Sequence, residues 1–221
     1  MNLGRRLAAE GIGTAALLAV IVGSGIMAER LAAGNTAIAL LANAIATGCA
    51  LFALIVVLAP FSGAHFNPLV TLNAALTHRL AWREAGAYML VQVAAAFIGA
   101  AVAHLMFELP LFSVSQHTRS GFAQFFSEAV ATFGLLLIIL GAVRHSIPVV
   151  AAAVGAYITA AYWFTASTSF ANPAVTLARA VTDTFSGIHP PDVLGFILFQ
   201  VIGASAAVLL MRWLSPADLD A

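Results

Sequence analysis

Two eleven-residue segments, 67–77 (NPLVTLNAALT) and 172–182 (NPAVTLARAVT), are identical at seven positions and hold the only two Asn-Pro pairs in the chain. Asn followed by Pro is a helix-entry signal. The Asn side chain caps the free amides of the first turn, and Pro at the first helical position has no amide hydrogen to leave unpaired. Each segment then reads as a helix of about three turns. The chain around them is 62% hydrophobic and 8% charged, with mean hydropathy +1.01 and no lysine. So little charge does not suit a soluble domain and points to a protein embedded in a membrane.

Apolar runs of the roughly 20 residues needed to cross a bilayer core fall at 7–28, 36–59, 85–107, 122–143, 147–166 and 193–213. The first contains Glu10 and is too long for a cleaved signal peptide, so it is kept as a span. Six spans put both termini on one side. Arg5, Arg6, Arg79, Arg83, Arg144 and Arg212 lie on that side, against Arg30, Arg119 and Arg179 on the other. The positive-inside rule then makes both termini cytoplasmic, in a multi-pass protein of the inner (plasma) membrane. Cys49 is the only cysteine, which excludes an intramolecular disulfide and a thiol metal site. The histidines are scattered, so no metal is expected, and no cofactor or nucleic-acid partner is expected either.

The duplication extends beyond the short helices. Residues 10–17 (EGIGTAAL) and 128–135 (EAVATFGL) share the frame E-x-x-x-T-x-x-L, and Gln92 and Gln200 recur in the third and sixth spans, each followed by Val. The chain is read as a single domain, 1–221, made of half-repeats 1–108 and 120–221. Three spans per half is an odd number, so the second half enters from the opposite face and the repeat is inverted. The first short helix then starts from the cytoplasmic face and the second from the outer face, with their Asn-Pro ends meeting near the midplane. The fold class is all-α: six transmembrane helices and two re-entrant half-helices. Gly11, Gly13, Gly23, Gly86, Gly99, Gly141, Gly155 and Gly203 read as close-packing positions between spans.

SGAHFNPLVT, FANPAVTLAR, the paired ExxxT spans and the Tyr88 to Gln92 spacing together resemble the aquaporin and glycerol-facilitator superfamily over nearly the whole chain. The first motif departs from the usual NPA, with Leu69 after Asn67 and Pro68; the second, Asn172, Pro173 and Ala174, keeps it. The resemblance implies a homotetramer in the lipid bilayer whose pore carries small neutral solutes. It implies that Asn67 and Asn172 present amides to the lumen at two helix N-termini that repel cations and protons. It makes Glu10 and Glu128 acceptors that hold loop amides, and His65 a hydrogen-bonded residue lining the cytoplasmic half.

Carried over by spacing from the motifs, the family's narrowest ring falls on Thr47, Ala160, Ser169 and Val175. None is charged, where the family usually places an Arg at the position of Val175. Such a ring is wider and less cationic than usual unless Tyr162, Trp163 or Phe170 leans in. Arg179, four residues after Val175, either faces the pore or pairs with Asp183, four residues further on; the ion pair is the expected arrangement.

A passive channel for glycerol-like molecules or metalloid hydroxides such as arsenous acid fits best. Asp183, Thr184, Phe185 and Gly187 after NPAVTLAR resemble an arginine-less bacterial subgroup associated with metalloid transport. A water-selective channel and an ion-coupled secondary transporter are the alternatives. The transporter needs a charged or carbonyl-rich ion site that the expected lumen does not offer. An enzyme is not expected, since no Ser-His-Asp set, paired carboxylate or cofactor loop is present.

Overall fold

A computed structural model describes residues 1–214; the last seven residues of the second half-repeat, as read from the sequence, lie outside the described residues. Eight helices follow in order: α1 (Leu3–Leu31), α2 (Thr36–Ser62), α3 (Pro68–Leu76), α4 (Trp82–Met106), α5 (Phe122–Ala142), α6 (Ile147–Phe164), α7 (Pro173–Arg179) and α8 (Pro190–Leu214). All but α3 and α7 are long and apolar enough to cross a membrane. Their ends are set by local chemistry. Asn2 accepts from Arg5 N at 3.0 Å to start α1, and Asn35 accepts from Ala37 N and Ile38 N to start α2. Gly63, at φ 90°, stops α2 in the left-handed conformation that favours glycine.

The long helices pack as α1 on α4 and α1 on α2 in the first half and as α5 on α8 and α5 on α6 in the second, so the pairings recur, and α2 on α6 joins the halves. Two equivalent crossings, one in each half, use glycine. A Cβ on Gly99 would meet the Ala15 carbonyl of α1, and one on Gly203 would meet the Ala129 carbonyl of α5. Gly11, Gly13, Gly23 and Gly155 also face close neighbours. Gly86 and Gly141 do not, because nothing lies within 4 Å of a Cβ at either, which corrects their reading as packing positions.

The short helices differ in length. α3 has nine residues, but α7 has seven, about two turns and not the three expected. Past Arg179 the chain tightens into i−3 bonds, Ala180 N to Leu177 O and Val181 N to Ala178 O, and Ile188 N then returns to Arg179 O. Asp183 therefore lies beyond the helix.

Gly99→Ala should destabilise the α1–α4 crossing by about 1–3 kcal/mol, the usual cost of overpacking, whereas Gly141→Ala should be silent. Thermal unfolding of both variants in detergent reads the difference.

Candidate functional site

Between the six long helices, α3 and α7 point their N-termini toward each other. Pro68 and Pro173 open them, and the capping Asn side chains satisfy the first amides: Asn67 Oδ1 accepts from Leu69 N at 2.9 Å, and Asn172 Oδ1 from Ala174 N at 3.0 Å and Val175 N at 3.3 Å. The amide nitrogens cross over. Asn67 Nδ2 donates to Ala171 O and Asn172 Nδ2 to Phe66 O, both at 2.8 Å. Each NH₂ group has two hydrogens, and these bonds use one. Both Asn residues line the cavity, which leaves the second donor for whatever occupies it.

The loops leading into these caps are strained in matching places. Ala64 and Phe66 adopt φ 50° and 48°; Ser169 and Ala171 adopt 52° and 49°. Non-glycine residues in this region cost about 1–3 kcal/mol each and persist only where surroundings over-determine them. Here two buried carboxylates do so. Glu10 accepts from Ser62 Oγ (2.7 Å), His65 N (2.9 Å), Phe66 N (2.8 Å) and Gln92 Nε2 (2.8 Å). Glu128 accepts from Phe170 N and Ala171 N, both at 2.9 Å, and from Gln200 Nε2 at 2.6 Å. Gln92 and Gln200 each also donate, at 2.9 Å, to Thr71 Oγ1 and Thr176 Oγ1, the threonines of the two repeated motifs. Both glutamates are fully buried, and their charge is spread over amide donors that strengthen in a low-dielectric setting.

On the side carrying the chain start, Arg6 donates to Tyr88 Oη (2.9 Å) and pairs with Glu84 (3.0 Å), and Tyr88 Oη donates to Ser62 O at 3.1 Å. This chain of bonds leads back to Glu10. His65 Nδ1 lies 3.0 Å from Thr71 Oγ1. Thr71 Oγ1 also accepts from Gln92, which ties His65 to the network around Glu10.

One cavity of about 490 Å³ runs past these groups. Arg6, His65, Arg79 and His145 line one end, Asn67 and Asn172 the middle, and Thr47, Tyr162, Ser169, Phe170, Val175 and Arg179 the other end. Leu17, Ile21, Leu51, Val154 and Ile158 supply apolar wall. Among the described residues, no Asp or Glu lines it.

Three of the four residues carried over by spacing reach this cavity and the fourth does not. Ala160 is exposed on the outside of α6. The inward stripe of α6 runs Val154, Ile158, Tyr162, each four residues apart, and Ala160 sits about 200° around the helix from Ile158. Tyr162 takes the place instead, with its hydroxyl 3.3 Å from Thr47 Oγ1. The ring is therefore narrower than small residues alone would make it. Trp163 faces outward, 47% exposed.

Arg179 corrects a second expectation. It makes no ion pair with Asp183, whose Oδ1 accepts from Gln116 N at 2.9 Å. The guanidinium instead lies 3.3 Å from the centroid of the Phe170 ring, and Nε donates to Ser186 O. The lumen is thus not without positive charge. The far-side connection locks this corner: Ser115 N donates to Ala180 O, His189 N to His117 O and Arg119 Nε to Gly187 O at 2.7 Å. Arg119 Cζ also lies 5.1 Å from the Phe170 ring centroid. Burial pushes the Arg119 pKa below its ordinary value, against the opposing pull of Glu128 and Tyr162. Sequence reasoning passed over Arg119; its only signal was a lone basic residue between apolar runs.

Glu128→Gln should turn one acceptor oxygen into an amide facing a backbone donor and cost about 1.5–3 kcal/mol, the worth of a hydrogen bond to a charged group. Thermal unfolding in detergent should show the loss, with reduced solute flux; wild-type values in both would contradict this role for Glu128.

The arrangement matches known proteins. The family described as MIP, Major intrinsic protein, matches residues 1–146. Aquaglyceroporin AqpS of Rhizobium meliloti (strain 1021) is 55% identical over 213 residues, covering 96% of this chain and 91% of the relative. Probable aquaporin AqpM of Archaeoglobus fulgidus is 30% identical over 248 residues, covering 97% and 98%. The X-ray structure of the aquaglyceroporin from Plasmodium falciparum superposes with a TM-score of 0.73 at 21% identity, over 97% of this chain and 98% of that one, and so shares the fold. The chain belongs to the major intrinsic protein family of membrane channels, and it is not an enzyme.

Proposed function

We propose that this channel passes small uncharged hydroxylated solutes, glycerol and arsenous acid among them, while excluding ions. The observation that carries the reading is the cavity wall. Amides and hydroxyls of Asn67, Asn172, Thr47, Tyr162 and Ser169 interrupt an apolar lining that, among the described residues, contains no carboxylate. A polyol or a neutral trihydroxide meets hydrogen-bond partners on one side and apolar contact on the other. A coupling cation meets no carboxylate to replace its hydration, which disfavours an ion-coupled transporter. Two helix N-termini and a guanidinium give the lumen a positive field that cations must oppose.

The remaining assignments follow from the same reading. The halves 1–108 and 120–221 act as inverted repeats around the Asn pair, both termini face the cytoplasm of a bacterial plasma membrane, and the assembly is a homotetramer. Thr47, Ser169 and Val175, joined by Tyr162, form the selective constriction. The resemblance to metalloid-associated members around Asp183, Thr184, Phe185 and Gly187 motivates arsenous acid as a solute.

Uptake into proteoliposomes tests this. Glycerol and arsenite at neutral pH should enter faster than into empty liposomes, and arsenate, its charged counterpart, should not. Equal arsenite rates with and without protein, in vesicles that still pass glycerol, would remove the metalloid solute; absence of both fluxes would overturn the reading.

A further inference from the structure

Arg179 and Ser169 share an unusual condition. Both are buried, at 2% and 3% exposure, both line the cavity, and each keeps a polar atom without a partner, Arg179 Nη1 and Ser169 Oγ. They meet through Phe170, which follows Ser169 in the chain and whose ring lies against the Arg179 guanidinium. A buried guanidinium with an idle donor and no carboxylate partner is costly unless something in the cavity completes it. The duplicated loops show that the pair is an addition. The positions equivalent to Ser169 and Arg179, counted from the capping Asn, are Ala64 and Ala74 in the first half, and both line the cavity with no polar side chain.

We infer that Arg179 Nη1 and Ser169 Oγ form a solute-docking and cation-excluding subsite, one helical turn beyond Val175, for an uncharged molecule with neighbouring hydroxyls. The inference deepens the neutral-solute reading and rests on it. The charge that the family usually supplies at the residue after NPA is supplied here from the end of α7, where the helix stops and Ser186 O holds Nε. Arg179 donates to a solute oxygen and Ser169 accepts from or donates to the neighbouring hydroxyl. The fixed positive charge with no carboxylate beside it opposes any cation at the same point.

Purified channel in liposomes is assayed for potassium leak and for discrimination of glycerol against 1,3-propanediol, which lacks one hydroxyl. Arg179→Gln should raise potassium leak on the order of tenfold and lower the discrimination about fivefold, the scale of one hydrogen bond. Arg179→Lys should stay ion-tight yet lose discrimination, and Ser169→Ala should lose discrimination without leak. Adding Val175→Arg to Arg179→Gln should restore ion tightness, a rescue that a merely structural residue would not show. An ion-tight Arg179→Gln with unchanged discrimination would overturn the inference, as would failure of both Arg179 variants to insert, which would assign Arg179 to holding the loop. Wild-type glycerol flux equal to that of empty liposomes would instead count against the neutral-solute reading, and the leak measurement would still decide whether Arg179 excludes cations.

Discussion

Two carboxylates inside the membrane make the rest of this structure possible. A chain that stops and reverses at the bilayer midplane exposes backbone amides where no lipid can pair them. Glu10 and Glu128 answer that demand by accepting the amides of Phe66, Phe170 and Ala171, among others. Gln92 and Gln200 hold the carboxylates and the motif threonines together. Each Asn then caps its own helix through Oδ1 and bonds the opposite loop through Nδ2, so the two halves are tied together at their caps.

Function arises where the halves stop matching. His65 and Phe170 occupy equivalent places before the two Asn residues, and they give one end of the cavity an imidazole and the other an aromatic face under a guanidinium. Val70 and Val175 match. Ala64 and Ser169 do not, nor do Ala74 and Arg179. A symmetric scaffold thus carries an asymmetric lumen, with a buried guanidinium at the far end where the first half has Ala74.

The backbone plan was legible because it depends on patterns that sequence displays: six apolar runs, the duplicated Asn-Pro helices, and the matched Glu and Gln frames. The starts of α2, α5 and α6 fall where their apolar runs begin, and the other ends of the long helices shifted by one to four residues, as at α1, where the Asn2 cap sets the start. The constriction was harder to read. Spacing carried Ala160 into the ring, but which residue faces inward depends on the phase of α6, and that phase selects Tyr162. Arg179 was placed with Asp183 on the assumption that α7 continued; the helix ends first, because the chain turns into the loop held by Ser115, Arg119 and Ser186. Both misreadings concern tertiary choices made by distant segments.

The buried carboxylates hold the re-entrant loops rigid beside the cavity. Residue-resolved amide hydrogen exchange of the wild-type channel in lipid nanodiscs tests it most directly. The amides of Phe66, Phe170 and Ala171 should exchange as slowly as those in the middle of α1 and α5, although they adjoin the cavity. Exchange as fast as that of surface loops would contradict the claim.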